Sequence, residues 1–249
     1  MTFDVDVLSI AENIKIVKER IEGAAKRIGR DPSEIKLVAV SKTVDIDRIK
    51  EAVLAGIEIL GENKVQEAKE KISNFKFQIS NLKIEWQMVG HLQTNKAKTA
   101  VQLFSLIHSV DSLRLAEEID RESRKAGKVQ DVLVEVNLAG EETKHGVSKE
   151  GTISLLREIS KFKNVSVKGL MTMPPFSEDP EKVRPYFRRL REVRDNINEL
   201  RITGLPSNGS IEGYELRDLS MGMSNDFEIA IEEGATMVRI GTAIFGERR

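Results

Sequence analysis

Lys42 is the residue whose position most invites chemistry. It follows an apolar run at 35–40 and a single serine, and because side chains alternate along a strand it shares a face with Val38 and Val40. If that face looks into a core, burial lowers the lysine pKa and leaves a nucleophilic amine that can condense with an aldehyde. A strand-end lysine whose stem lies on apolar surface while its head reaches water is the competing reading. A second group collects near the C-terminus. Met223-Ser224-Asn225-Asp226 precedes an apolar-periodic segment, with Ser224 or Asn225 as a helix cap and Glu228 as its capping-box partner. A helix start offers free N–H groups and a positive dipole end, which suits an anion, and Gly241-Thr242 at the end of the next apolar run lets a phosphate approach bare backbone. An ordinary serine cap plus a turn glycine is the plainer alternative. Arg239 shares a strand face with Gly241 and sits amid apolar residues, so it needs an acceptor: a ligand, or a carboxylate such as Glu135.

The elements around these residues alternate in type. Ile10, Ile14, Val17, Ile21, Ala24 and Ile28 mark a first helix ended by Gly29. Compact apolar runs then recur at 35–40, 58–63, 84–90, 103–111, 131–137, 165–173, 219–224 and 237–245, eight candidate strands with helical segments between them. Alternation of this kind implies a parallel sheet, and eight units favour a closed (β/α)8 TIM barrel of the α/β class with an extra N-terminal helix. A doubly wound open sheet usually carries a glycine-rich turn after its first strand; here that turn reads Ser41-Lys42-Thr43-Val44. The strand bodies are apolar while the ends read Gly61-Glu62-Asn63, Gly90-His91-Leu92-Gln93, Glu135-Val136-Asn137 and Arg239-Ile240-Gly241-Thr242, a polarity gradient that places a binding site at one mouth.

The 249 residues suit one such barrel, read as a single domain over 1–249. A net charge of −1 makes no electrostatic case for a nucleic-acid or membrane partner, and the absence of cysteine excludes disulfides, thiolate metal sites and a cysteine nucleophile. Met1 to Ile10 has no basic cluster before an apolar run, so no signal peptide is read there, and a cytoplasmic protein is expected. His91, His108 and His145 lack metal-ligand spacing, so no metal is assigned, and His108 is read as a structural strand residue. Met171 and Met173 can pack on a flat ligand or fill core. Lys144-His145-Gly146 is a candidate rim, the 203–213 segment the candidate mobile loop, and Arg188, Arg189, Arg191 and Arg194 a solvated helix face interleaved with Glu192 and Asp195.

Several stretches together resemble the pyridoxal phosphate (PLP) homeostasis family, single barrels similar to the N-terminal domain of alanine racemase. They are Leu37-Val38-Ala39-Val40-Ser41-Lys42-Thr43, Gly61-Glu62-Asn63, Gly90-His91-Leu92-Gln93-Thr94-Asn95-Lys96, Lys144-His145-Gly146, Gly169-Leu170-Met171-Thr172-Met173-Pro174-Pro175, Leu219-Ser220-Met221-Gly222-Met223-Ser224-Asn225-Asp226 and Val238-Arg239-Ile240-Gly241-Thr242-Ala243-Ile244-Phe245-Gly246. Lys64 departs from the tyrosine that often follows Gly-Glu-Asn in the family. The resemblance implies pyridoxal 5′-phosphate held as a Schiff base on Lys42, its phosphate on Ser224, Gly241 and Thr242, its ring nitrogen facing Arg239, and Asn63 near its ring hydroxyl; Met171, from the residue reading above, is the candidate to pack on the ring. It implies vitamin B6 homeostasis or delivery to apo PLP-dependent enzymes by a monomer or weak homodimer. A PLP-dependent amino-acid racemase is the alternative. Racemisation needs an acid/base on each face of the substrate carbon; the tyrosine-bearing β-domain that alanine racemase adds has no counterpart before Arg249, and of Tyr186 and Tyr214 only Tyr214 is a plausible second base. The expectation is therefore binding without turnover. A cofactor-free barrel enzyme acting on a phosphate ester is the third reading.

Overall fold

A computed structural model describes residues 8–78, 83–141, 145–202 and 215–247. The 203–213 loop, Lys144 and Tyr214 lie outside the described residues. Nine strands are described: β1 (Lys36–Val40), β2 (Ile59–Glu62), β3 (Glu85–Met88), β4 (Leu106–Val110), β5 (Gln130–Asn137), β6 (Val147–Ser148), β7 (Val165–Met171), β8 (Asp218–Ser220) and β9 (Met237–Ile240). All but the two-residue β6 pair in parallel around a closed ring, in which β1 lies between β9 and β2 and the circle is completed by β4 against β5. Closure explains the sequence pattern: each strand is buried on both faces, so its body is continuously apolar rather than alternating.

Helices fill the connections: α2 (Ile46–Leu54), α3 (Val65–Gln78), α4 (Ala97–Leu103), α5 (Leu113–Lys125), α6 (Lys149–Ile159), α7 (Arg184–Ile202) and α8 (Phe227–Glu232). These seven leave one gap in the outer ring, beside β9 and β1. The first helix, α1 (Ile10–Arg27), packs on both α2 and α8 and so fills it. Its stripe Ile10, Ile14, Val17, Ile21 and Ala24 is buried as the spacing requires, and Ser9 and Glu12 form a reciprocal capping box. Ile28 is the exception. It is the C-cap, 39% exposed, because Gly29 at φ 68° turns the chain away before another turn can form. Ion pairs from Arg20 to Glu228 (2.5 Å) and Arg27 to Glu232 (2.7 Å), and a hydrogen bond from Asn13 to the Ile244 carbonyl (3.0 Å), fix α1 on its neighbours.

Two strand ends depart furthest from the periodicity. The run at 219–224 stops being strand at Ser220, because Gly222 adopts φ 92° and passes so close to α8 that a Cβ there would lie 2.6 Å from Ala230 Cβ. The run at 237–245 leaves the sheet at Ile240; Gly241 breaks the strand and Thr242–Phe245 forms a short helix, α9. Both departures lie at the mouth of the barrel. Of the arginines on α7, Arg188 and Arg191 pair with Glu233, and Arg194 with Asp195, so that face is neutralised within the fold. No described helix is long and apolar enough to cross a membrane.

Candidate functional site

A cleft of about 1270 Å³ opens at the C-terminal ends of the strands. Lys42, Asn63, Ser224, Arg239, Gly241 and Thr242 all line it. Met171 does not. It is 1% exposed and packs with Leu106, Leu133 and Met237 in a small cluster of the core, while the half-exposed Met173 lies at the cleft. The strand end accounts for this: Met171 is the last residue of β7 and stays in the core, whereas Met173 lies beyond the strand end.

Lys42 is partly buried just past the end of β1, with Val40 on the cleft wall and Val38 fully buried on the same face below. The following residue, Thr43, is the only described non-glycine residue with positive φ, 62°. For a β-branched side chain that conformation costs about 1–2 kcal/mol.

Across the cleft, Ser224 is not the cap of α8. Asp226 occupies the N-cap position, and its carboxylate accepts from the Met223 N–H at 2.6 Å. Ser224 Oγ instead accepts from Ala243 N–H at 3.2 Å, tying the loop after β8 to the first turn of α9. Glu228 is drawn away by Arg20 and Arg27 and completes no capping box. Gly241 precedes α9, and a Cβ there would meet only ordinary contacts, the nearest being Val40 O at 3.4 Å. Packing therefore does not demand glycine at this position; the missing side chain leaves room at the mouth. A hydroxyl, a glycine and the start of α9 facing one cleft suit a phosphate.

Arg239 is 4% exposed and points inward. Its guanidinium donates to Ser220 Oγ (2.6 Å) and to the Thr172 carbonyl (3.0 Å). Its acceptors are thus protein groups that the sequence did not reveal; the charges of Glu135 and Asp226 support it electrostatically, and burial still pulls its pKa down to about 10. Ser220 continues inward to His108 Nδ1 (2.9 Å), and His108 Nε2 reaches Gln87 Oε1 (2.8 Å). Burial, with Arg239 nearby, holds the His108 pKa well below its usual value, so the ring is neutral. One tautomer satisfies the whole relay: Nε2–H donates to Gln87, and Nδ1 accepts the Ser220 proton. His108 is thus structural, as its strand position implied, and it holds the acceptor of Arg239. Gln87, His108 and Ser220 carried a signal in the sequence, being polar residues inside apolar strands that require partners.

Asn63 Oδ1 is buried and has no hydrogen-bond partner among the described residues. An orphan acceptor at a cleft calls for a donor from outside, such as a ligand hydroxyl. Gly90 sets its position: a Cβ there would fall 2.5 Å from Asn63 O, so glycine lets the loop after β3 lie against it. Lys64, the departure noted above, is exposed and does not line the cleft. On the rim His91 and His145 stack at 3.6 Å, with His91 Nδ1 3.5 Å from Asp111. One ligand atom from each of the three lies within 4.8 Å of the others, a grouping invisible in linear spacing. The ring planes are 9° apart, so their in-plane lone pairs run side by side rather than toward one point.

Glu135, at the end of β5, gives the site a pH dependence. Burial, helped by Asp111 and opposed by Arg239, pushes its carboxyl up to about 7. The folded state therefore holds this proton more tightly than the unfolded chain. The stability this contributes is complete below about pH 4.5 and is lost as pH rises through 7. Between pH 5.5 and 8.5 the loss amounts to about 2 kcal/mol. Urea unfolding at those two pH values should show that extra fall in wild type and not in Glu135→Gln; the same pH dependence in both proteins would refute the assignment.

The fold is that of the alanine racemase N-terminal domain class, whose family model matches residues 5–249. The pyridoxal phosphate homeostasis protein of Aquifex aeolicus (strain VF5) is 47% identical over 97% of this chain and 100% of its own length. That of Pseudomonas aeruginosa is 39% identical over 96% of each. Among solved structures, PipY of Synechococcus elongatus with PLP bound superposes with a TM-score of 0.79 at 32% identity, covering 95% of this chain and 100% of PipY. Alanine racemase of Clostridium difficile shares the fold, with a TM-score of 0.68 at 16% identity over 57% of that larger chain. The chain belongs to the pyridoxal phosphate homeostasis protein family.

Proposed function

We propose that this protein, as one domain over residues 1–249, binds pyridoxal 5′-phosphate at the barrel mouth as a Schiff base on Lys42. In this reading it serves cytoplasmic PLP homeostasis, holding the cofactor for delivery to apo PLP-dependent enzymes without turning over a substrate. The observation that carries the reading is the convergence on one cleft of an amine (Lys42), an anion cradle (Ser224, Gly241, Thr242), an orphan buried acceptor (Asn63) and a fixed cation (Arg239). These are complementary to the aldehyde, phosphate, hydroxyl and ring nitrogen of one molecule. When bound, the cofactor supplies an aldehyde that condenses reversibly with an amine, and a ring that can accept electrons. The names of the relatives and the PLP-bound PipY structure support the choice of cofactor.

Two features of the described residues support the reading without turnover. A guanidinium only donates hydrogen bonds, so Arg239 beside the ring nitrogen would keep that atom unprotonated and weaken the ring as an electron sink. Tyr186, the one tyrosine among the described residues, lies on α7, packs against the core and does not line the cleft. Purified protein incubated with PLP should develop a visible absorption band, and borohydride should fix the cofactor to the Lys42 peptide. Label spread over surface lysines, or no label, would refute the reading, and purified protein that interconverts alanine enantiomers would refute the non-catalytic part.

A further inference from the structure

We infer that Glu67 and Lys71, on α3 outside the barrel, are positioning residues that aim the Lys42 amine; this rests on the function proposed above. Main-chain groups on both sides of Lys42 are tied to α3. The Ser41 carbonyl accepts from Lys71 Nζ at 2.5 Å, and the Thr43 N–H donates to Glu67 Oε1 at 2.5 Å. Ser41 is fully buried; its N–H extends the ladder to Gly61 O (3.0 Å), and its hydroxyl donates to Glu62 Oε1 (2.6 Å). Lys71 Nζ also donates to Glu62 (2.8 Å) and Glu67 (2.7 Å), so all three of its N–H donors are engaged. The clamp is buried: the side chains of Glu62, Lys71 and Glu67 are 0%, 12% and 24% exposed.

Two things follow. First, Lys71 is a poor competitor for an aldehyde, because its nitrogen is enclosed by the Ser41 carbonyl, Glu62 and Glu67 on a helix that does not line the cleft. Second, the left-handed backbone of Thr43 persists only because its surroundings over-determine it. That backbone turns the chain at the residue after Lys42, so the direction of the lysine stem depends on the Glu67 contact. The strain sits beside the reactive amine and has its restraint on a helix that does not line the cleft.

The test uses PLP as the probe, with borohydride trapping at Lys42, the binding isotherm and the thermal midpoint read together. Glu67→Ala should keep its fold while PLP affinity falls about tenfold and trapping slows. Glu67→Gln, which keeps an oxygen acceptor for the Thr43 N–H, should restore most of the affinity. Thr43→Gly in the Glu67→Ala background should do the same, since glycine adopts positive φ without restraint. Wild type that does not trap PLP at Lys42 would refute the site reading itself. Wild type that traps normally, with Glu67→Ala indistinguishable from it, would overturn only the clamp. A loss that neither Glu67→Gln nor Thr43→Gly rescues would overturn it too, because general damage to the fold is not cured by one acceptor or one glycine.

Discussion

Lys42→Ala should yield a stable, colourless protein that no longer forms a borohydride-resistant adduct with PLP. The side chain is only partly buried and stands at the mouth rather than in the core, so its removal should cost less than about 1 kcal/mol of stability. Binding should suffer far more. The anion cradle at Ser224, Gly241 and Thr242 remains, and so do Asn63 and Arg239, so weak non-covalent affinity should persist while the dissociation constant rises on the order of 100-fold, equivalent to roughly 2.7 kcal/mol. Lys42→Arg separates charge from chemistry: it keeps a cation beside the cleft yet cannot condense with an aldehyde, and should behave like the alanine variant in trapping. Absorbance, trapping and thermal midpoint on the three proteins check this. An adduct that survives in Lys42→Ala at wild-type yield would show that another lysine carries the cofactor.

The largest effect on stability should come from a single methyl group at Gly169. On β7 this residue pairs with both Leu133 and Asp218, beside a register shift against β5. A Cβ at Gly169 would sit 1.8 Å from the Asp218 carbonyl oxygen and 2.6 Å from its carbonyl carbon. Those are backbone atoms of β8, a strand of three residues, and no side-chain rotation relieves the overlap. Gly169→Ala must push β8 away from β7 and should lose about 3 kcal/mol or more. The damage would reach the site, because Ser220 at the end of β8 joins Arg239 to His108. Gly127→Ala is the contrast: φ is 65° but a Cβ would meet nothing within 4 Å, so only backbone strain of about 1 kcal/mol is expected. Denaturant unfolding of the two variants measures the difference, and equal losses would refute the close-approach explanation.

How much of this could be read from the chain differs by feature. The barrel was legible because doubly buried strands are apolar throughout and their ends are polar, a contrast that survives in linear sequence. Lys42, Asn63, Ser224, Arg239, Gly241 and Thr242 were legible because they fall at those ends. Met171 misled because its strand runs to its own position, and only the register reveals that the cleft begins later, near Met173. The acceptors of Arg239 were hidden: Thr172 contributes a carbonyl, which no side-chain pattern reports, and Ser220 had to be brought across from another strand. Ser224 as a tie to α9 rather than a cap for α8 was hidden as well, since the first turns of both helices present similar sequence signals and only spatial order separates them. The rim contact between His91 and His145 joins loops 54 positions apart in sequence, counting from 91 to 145.

The place of α1 in the outer ring bears on how the molecule is made. Asn13 bonds to the carbonyl of a residue 231 positions further on, and α1 packs on α8 and α9 as well as on α2. Because synthesis runs from the N-terminus toward the C-terminus, the greasy stripe of α1 stays partly uncovered until α8 and α9 have left the ribosome. Its docking is then among the last steps, a long-range closure of the slow kind. A nascent chain stalled before Phe227 has emerged should be a good substrate for holding chaperones, and the arrival of α8, β9 and α9 is what lets the ring shut.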